Sequence, residues 1–203
     1  MTLFEVGVVI AALMIAAALL LPRLLNSRRI YCDNNLRQVG LAFRVWAGDN
    51  NDKYPMGISV TNGGAMELAA AGNVPASFLI MSNELSTPKI LACPEDADRA
   101  PALAFAEFAG NSNISYFLGV DVTDDLNPQM FLAGDDNFAI GGVPAKSGLL
   151  RVGTNTPATW TAARHIHHGN IGFADGSVLE TDDKSLVQKL EETRLATNQL
   201  AIP

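Results

Sequence analysis

The sequence predicts an α+β fold, with a long N-terminal α-helix packed on a globular head that holds an antiparallel β-sheet. Three observations predict it. The chain reads as helix from Phe4 to about Asn50, first apolar apart from Glu5 and then amphipathic. Two β-prone runs, 168–174 and 177–181, flank Asp175-Gly176, a strong hairpin signal. A last helical pattern follows Asp182 and Asp183, either of which can cap it, and runs to about Ala196.

Between Met1 and Leu21 the only charged side chain is Glu5. An apolar run of about 20 residues can span a bilayer as helix. A cleaved signal peptide would want a basic region ahead of the apolar run, and none is present. A plain membrane anchor is the other simple reading. Glu5 weakens both, because a carboxylate within a spanning segment costs about 2.5–3.5 kcal/mol at the centre. The α-amine of a neighbouring subunit would neutralise Glu5 if the mature chain begins at Met1.

Pro22 has no N–H for the carbonyl of Ala18 and disfavours helical angles at Leu21. A kink or short unwound stretch is therefore expected within Ala17 to Arg23 in an assembled state. Beyond it, Cys32, Leu36, Val39, Phe43 and Trp46 recur at helical spacing and form one apolar stripe. Asp33 and Arg37 stand at i,i+4 on another face. Turn formers from Gly48 to Asn51 should end the helix. The expected organisation is a hydrophobic transmembrane or filament-core helix over 1–25, its amphipathic half over 26–53, and the head over 54–203.

Within the head, 65–71 and 77–85 read as short helices. Lys89–Ala92, Ile114–Val120 and Gln129–Ala133 read as strands. The stretch 135–157 is loop-rich, with Gly141-Gly142 and Pro144. Through Lys53 the chain carries six Lys/Arg against four Asp/Glu; beyond it, eight against seventeen. An acidic head repels phosphate backbones, so no nucleic acid is expected on that surface. Cys32 and Cys93 are the only cysteines. They form one structural disulfide if the head is exported, and two free thiols if it is not.

The opening Met1-Thr2-Leu3-Phe4-Glu5, its apolar run and Pro22 resemble mature type IV pilins and type II secretion pseudopilins. The resemblance continues through Cys32-x-x-Asn35-Leu-Arg-Gln38-x-Gly40, Asp49-Asn-Asn-Asp-x-Tyr-Pro55, Cys93-Pro-x-Asp96, Ser115-Tyr116 and His165-x9-Asp175-Gly176. That series is similar to the prepilin-type proteins with a His-x9-Asp-Gly C-terminal motif. Family helices often carry a glycine where this chain has Met14.

The resemblance implies a structural subunit of an extracellular, type IV pilus-like filament, and not an enzyme. It implies cleavage by a prepilin peptidase, N-methylation at Met1, and inner-membrane residence before a pilus assembly machine builds the homo-oligomer. Assembly residues would be Met1, Glu5 and Pro22. The alternatives are a type II secretion pseudopilin and a membrane-anchored, ligand- or metal-binding head that does not polymerise.

No nucleophile stands in a recognisable catalytic motif. His165, His167 and His168 precede the hairpin, and alternation would put His165 and His167 on one face. His165 is expected to pin the hairpin by donating to Asp175 or a loop carbonyl; a metal there is the alternative. Acidic groups at Glu95/Asp96/Asp98, Asp121/Asp124/Asp125, Asp135/Asp136 and Asp182/Asp183 are read as solvated loops, with calcium the alternative.

Overall fold

The computed structural model describes residues 3–203, with the side chains of residues 3, 17 and 19–27 outside the description. The expected pairing and methylation at Met1 therefore lie outside the described residues, as does the side chain of Pro22. Helix α1 spans Leu3–Asp49 and ends among the predicted turn formers. The helix is assigned through Pro22 without interruption, so the break expected within 17–23 is not seen in this single chain.

The expected hydrophobic, membrane-spanning stem is corrected. The apolar helical stretch with described side chains is short, covering 4–16. At 1.5 Å per residue it is about 20 Å long, against the roughly 30 Å of a bilayer's hydrocarbon core. Among the described residues, no helix is long and apolar enough to cross a membrane.

The later part of α1 belongs to the head's core. Cys32, Leu36, Val39, Phe43 and Trp46 are all buried, as the stripe predicts. They pack with short helices α2 (Met66–Ala70), α3 (Val74–Leu79) and α4 (Ser82–Leu85) and with one face of a sheet. The segment expected as a strand at 89–92 is instead a 3-10 turn, Pro88–Leu91. Proline at its start supplies a helical φ and lacks a donor that a strand would need.

The main sheet is antiparallel and six-stranded, in the order β5-β9-β1-β2-β7-β8. Its strands are β1 (Tyr116–Gly119), β2 (Phe131–Asp135), β5 (Gly148–Gly153), β7 (Gly169–Phe173), β8 (Val178–Thr181) and β9 (Thr197–Ile202). Side chains alternate between faces. Tyr116 and Leu118 point into the α1 core, while Phe117 points into a second core. Because both faces are covered, β1, β2 and β7 are buried end to end.

The second core is aromatic. Helix α5 (Asp183–Glu192) covers it with Leu186 and Leu190. A three-stranded sheet of β3 (Phe138–Ile140), β4 (Val143–Pro144) and β6 (Ala158–Trp160) covers the rest. Phe117–Phe138 and Phe138–Trp160 meet edge to face at 5.8 and 6.0 Å between centroids. The loop-rich reading of 135–157 thus missed β3, β4 and β5. The chain also continues past its closing helix into β9, which inserts between β5 and β1.

The hairpin β7–β8 forms as predicted, with a longer turn. The Phe173 N–H donates to Ser177 O at 2.9 Å, so three residues close the loop, with Gly176 at φ +84°. That is the pattern of a turn ending in a left-handed residue, where glycine carries no steric penalty.

Tyr54 plugs the end of the α1 core. It is buried, and its hydroxyl donates to Ala174 O at 2.7 Å. Burial first, and then the Asp125 charge, push its phenol up to about 12 from the ordinary value near 10. An unfolded chain loses this proton near pH 10 while the folded chain keeps it, so folding stability falls from about pH 10 to pH 12. Tyr54→Phe should lack that part of the slope and cost about 1 kcal/mol at neutral pH through the lost hydrogen bond. Urea unfolding of both proteins across that pH range measures it; identical slopes would exclude the assignment.

Candidate functional site

The segment entering β7 adopts an unusual backbone. His165, Ile166 and His167 have φ of +52°, +48° and +60°. Left-handed geometry costs a non-glycine residue roughly 1–2 kcal/mol, so three in succession need strong anchors. Arg29 Nη2 donates to His165 O, and the His165 N–H donates to Glu95 Oε2 at 3.3 Å. The His167 N–H donates to Thr161 O at 3.3 Å. Asn137 Nδ2 donates to Arg164 O at 3.1 Å and to His168 O at 3.2 Å. This turn breaks the expected alternation: His165 points into the protein and His167 is exposed.

The His165 ring lies between the disulfide and two carboxylates. Its Nδ1 is 2.8 Å from Glu95 Oε2, and its Nε2 is 3.4 Å from Asp135 Oδ2. The same Nε2 is 3.4 Å from Cys93 Sγ. Cys93 is bonded to Cys32, with Cα atoms 5.1 Å apart and a sequence separation of 61. Closing a loop of that size is worth about 4 kcal/mol in the chain-entropy account.

The acidic groups expected as solvated loops are partly a buried ion network. Arg164 Nη1 lies 3.2 Å from Asp96 Oδ2 and donates to Ser115 O at 3.0 Å, while Nη2 pairs with Asp136 Oδ1. Arg99 Nη1 is 2.5 Å from Asp136 Oδ2 and 3.4 Å from Asp96 Oδ2. Ser115 Oγ donates to Asp96 at 2.7 Å and accepts the Cys93 N–H at 3.0 Å. Asp135 Oδ2 accepts from the backbone and side chain of Asn170 at 2.7 and 2.9 Å. Burial pulls the Arg164 guanidinium below its ordinary pKa, opposed by Asp135 and Asp96. Burial likewise lowers Arg99.

Asp121, Asp124, Asp182 and Asp183 instead accept backbone N–H groups. Asp121 accepts from Gln199 N and Nε2 at 2.6 and 2.9 Å, and Asp124 accepts the Leu126 N–H at 3.1 Å. Asp182 caps α5 through Ser185 N at 2.8 Å, and Asp183 accepts the Trp160 N–H at 2.6 Å.

His165 and Asp175 do not meet, which corrects the expected hairpin pin. They sit at opposite ends of β7, whose five residues span about 17 Å. Asp175 Oδ1 instead accepts from Ser177 N at 2.8 Å and Ser177 Oγ at 2.6 Å, which shapes the turn. Asp175 O accepts from Arg44 Nη1 at 2.7 Å. A Cβ on Gly40 would lie 3.9 Å from Gly176 Cα, so helix and turn approach closely here.

The motif His165-x9-Asp175-Gly176 is therefore the strand along which α1 docks. Arg29 ties α1 to the His165 end and Arg44 ties it to the Asp175 end. Arg29 Nη1 also pairs with Glu180 at 3.1 Å on β8. Sequence reasoning named His165, Cys32 and Cys93 but missed Arg29, Arg44, Arg99 and Arg164. A lone buried arginine leaves no periodic signal; only the acidic dipeptides at 95–96 and 135–136 hinted at it.

Compared with known proteins, the chain matches no family model, no curated sequence and no solved structure.

Arg164→Met keeps bulk but strips Asp96, Asp135 and Asp136 of their shared cation. It should cost about 3–5 kcal/mol, as removal of one partner from a buried ion group does. Arg37, paired with Asp33 at 2.8 Å on the surface, is the control. Arg37→Ala should change stability by less than about 0.5 kcal/mol. Urea midpoints of the disulfide-bonded proteins measure both, and similar costs for the two would refute the network's role.

Proposed function

We propose that this chain is a structural, non-catalytic subunit that polymerises into an exported filament through the N-terminal part of α1. One observation carries the reading: the apolar stretch 4–16 is uncovered on all sides. Phe4 is 80% exposed, and Leu13, Met14 and Ile15 are each above 60%. A helix that is hydrophobic all round needs an apolar surrounding, and a contiguous exposed patch of this kind marks an association surface. A second copy offers the same stretch, so burying like against like satisfies both.

Two further observations support the proposal. The buried Cys32–Cys93 disulfide suits an oxidising compartment outside the cytoplasm. The resemblance to type IV pilins and pseudopilins assigns assembly to this end of the chain and gives Glu5 the register-setting role. Glu5 is exposed on the apolar stretch, at the position where neighbouring copies would meet.

Full-length protein released from detergent should form ordered filaments in electron micrographs. The double variant Ile10→Gln/Leu13→Gln should remain dispersed with its circular dichroism and disulfide intact, and Glu5→Ala should give fewer filaments than the parent. A parent chain that sediments as a monomer without detergent, or a double variant that assembles like the parent, would contradict the proposal. Oligomers that stop as short rods would favour the pseudopilin form.

A further inference from the structure

We propose that the chain, when its disulfide is reduced, binds zinc at Cys32, Cys93 and His165. The ligand atoms of Cys32, Cys93 and His165 all lie within 4.8 Å of one another, and all three residues are buried. Zinc–sulfur bonds of about 2.3 Å and bonds of about 2.0–2.1 Å to nitrogen and oxygen set the edges of a tetrahedron. Such a site puts nitrogen about 3.5 Å from sulfur. His165 Nε2 stands 3.4 Å from Cys93 Sγ, close to that nitrogen–sulfur edge.

The surroundings are those of a metal site. Glu95 Oε2, 2.8 Å from His165 Nδ1, can accept that N–H and leave the Nε2 lone pair facing the sulfurs. Carboxylate-oriented histidines of this kind are the usual second shell of zinc ligands. Asn170 fixes Asp135 through Oδ2, and the buried Asp135 Oδ1 has no hydrogen-bond partner among the described residues. Four carboxylates, Glu95, Asp96, Asp135 and Asp136, gather around the site; Arg99 and Arg164 pair with Asp96 and Asp136, while Arg28 and Arg29 stand on the Glu95 side. A surface depression of about 450 Å³, lined by Arg28, Arg29, Glu95 and His165 among others, gives entry beside the imidazole. The strained turn at 165–167 is what aims the ring at this point.

Metal and disulfide are alternative occupants of the same joint. A dithiol reductant donates two electrons to the Cys32–Cys93 bond. The two thiols then lose their protons on binding Zn²⁺. In the reverse direction a disulfide oxidant takes two electrons from the zinc-bound thiolates. The protein S–S bond forms, Zn²⁺ leaves, and the oxidant takes up two protons as it becomes a dithiol. Either way α1 stays fastened to the head, by a metal clip before oxidation and by a covalent bond after it.

The full chain, reduced anaerobically with a phosphine and exposed to zinc chloride, should retain about one zinc per chain after gel filtration, by mass spectrometry. The oxidised chain is expected to retain less than a tenth of that. Cobalt in place of zinc should give thiolate-to-metal charge-transfer absorption with the chain still folded by circular dichroism. His165→Gln should lower metal retention at least tenfold. If that variant fails to fold, the parent decides alone: oxidising its zinc form with a disulfide should release one zinc per disulfide formed, read with a chromophoric chelator. Equal zinc in oxidised and reduced protein, no zinc in the reduced protein, or a cobalt spectrum without thiolate absorption would overturn the proposal.

Discussion

The seam between α1 and β7 is the constraint on which the rest of the head depends. The stripe of Leu36, Val39, Phe43 and Trp46 supplies most of the attraction, at roughly 1.5–3 kcal/mol for each large apolar side chain buried. That attraction has no direction and would tolerate sliding. Register comes from polar and covalent ties at fixed points. Arg29 holds one end of β7 and Arg44 the other. The Cys32–Cys93 bond adds a tether a turn from Arg29. Gly40 of the helix faces Gly176 of the turn beside the Arg44 tie.

The buried ion network is a costly way to hold the other side of this seam. Apolar residues of the same volume would stabilise the fold at least as well. The network does something they cannot. It fixes the loop bearing Cys93 to the loops bearing Asp136 and Arg164 through oriented bonds, by way of Ser115 and Asp96. With those loops fixed, the left-handed turn at 165–167 has anchors that outweigh its strain. The disulfide then closes between elements already in place.

Much of this was readable in the sequence, and the boundary is physical. The stripe on α1 was legible because burial on a helix writes itself at a 3.6-residue period. The β7–β8 hairpin was legible because Asp-Gly reports a local turn. The partner of each cysteine followed from there being two. Strand β9 was illegible, because its place between β5 and β1 is decided by long-range pairing after α5 has ended the local pattern. The acidic dipeptides read as solvent-facing because their cations, Arg99 and Arg164, are distant in sequence for most of them. His165 and Asp175 read as partners because both flank the hairpin that the Asp175-Gly176 turn closes. A strand instead holds them apart. The membrane-spanning reading came from run length together with the pilin resemblance, and the described apolar stretch is shorter than that run.

If the chain works in a filament, the arrangement of ties matches the direction of load. Pull applied at the N-terminal end of α1 reaches the head as shear along β7. Apolar contacts resist shear poorly, since side chains moved along a neighbour find new contacts. Directional bonds resist it well. Arg29 and Cys32 stand at the end of the seam that load would reach first, and Arg44 stands at the far end. Force therefore meets the covalent bond and the charge-anchored turn before it reaches the apolar stripe. A seam built only from the stripe would yield one helical turn at a time.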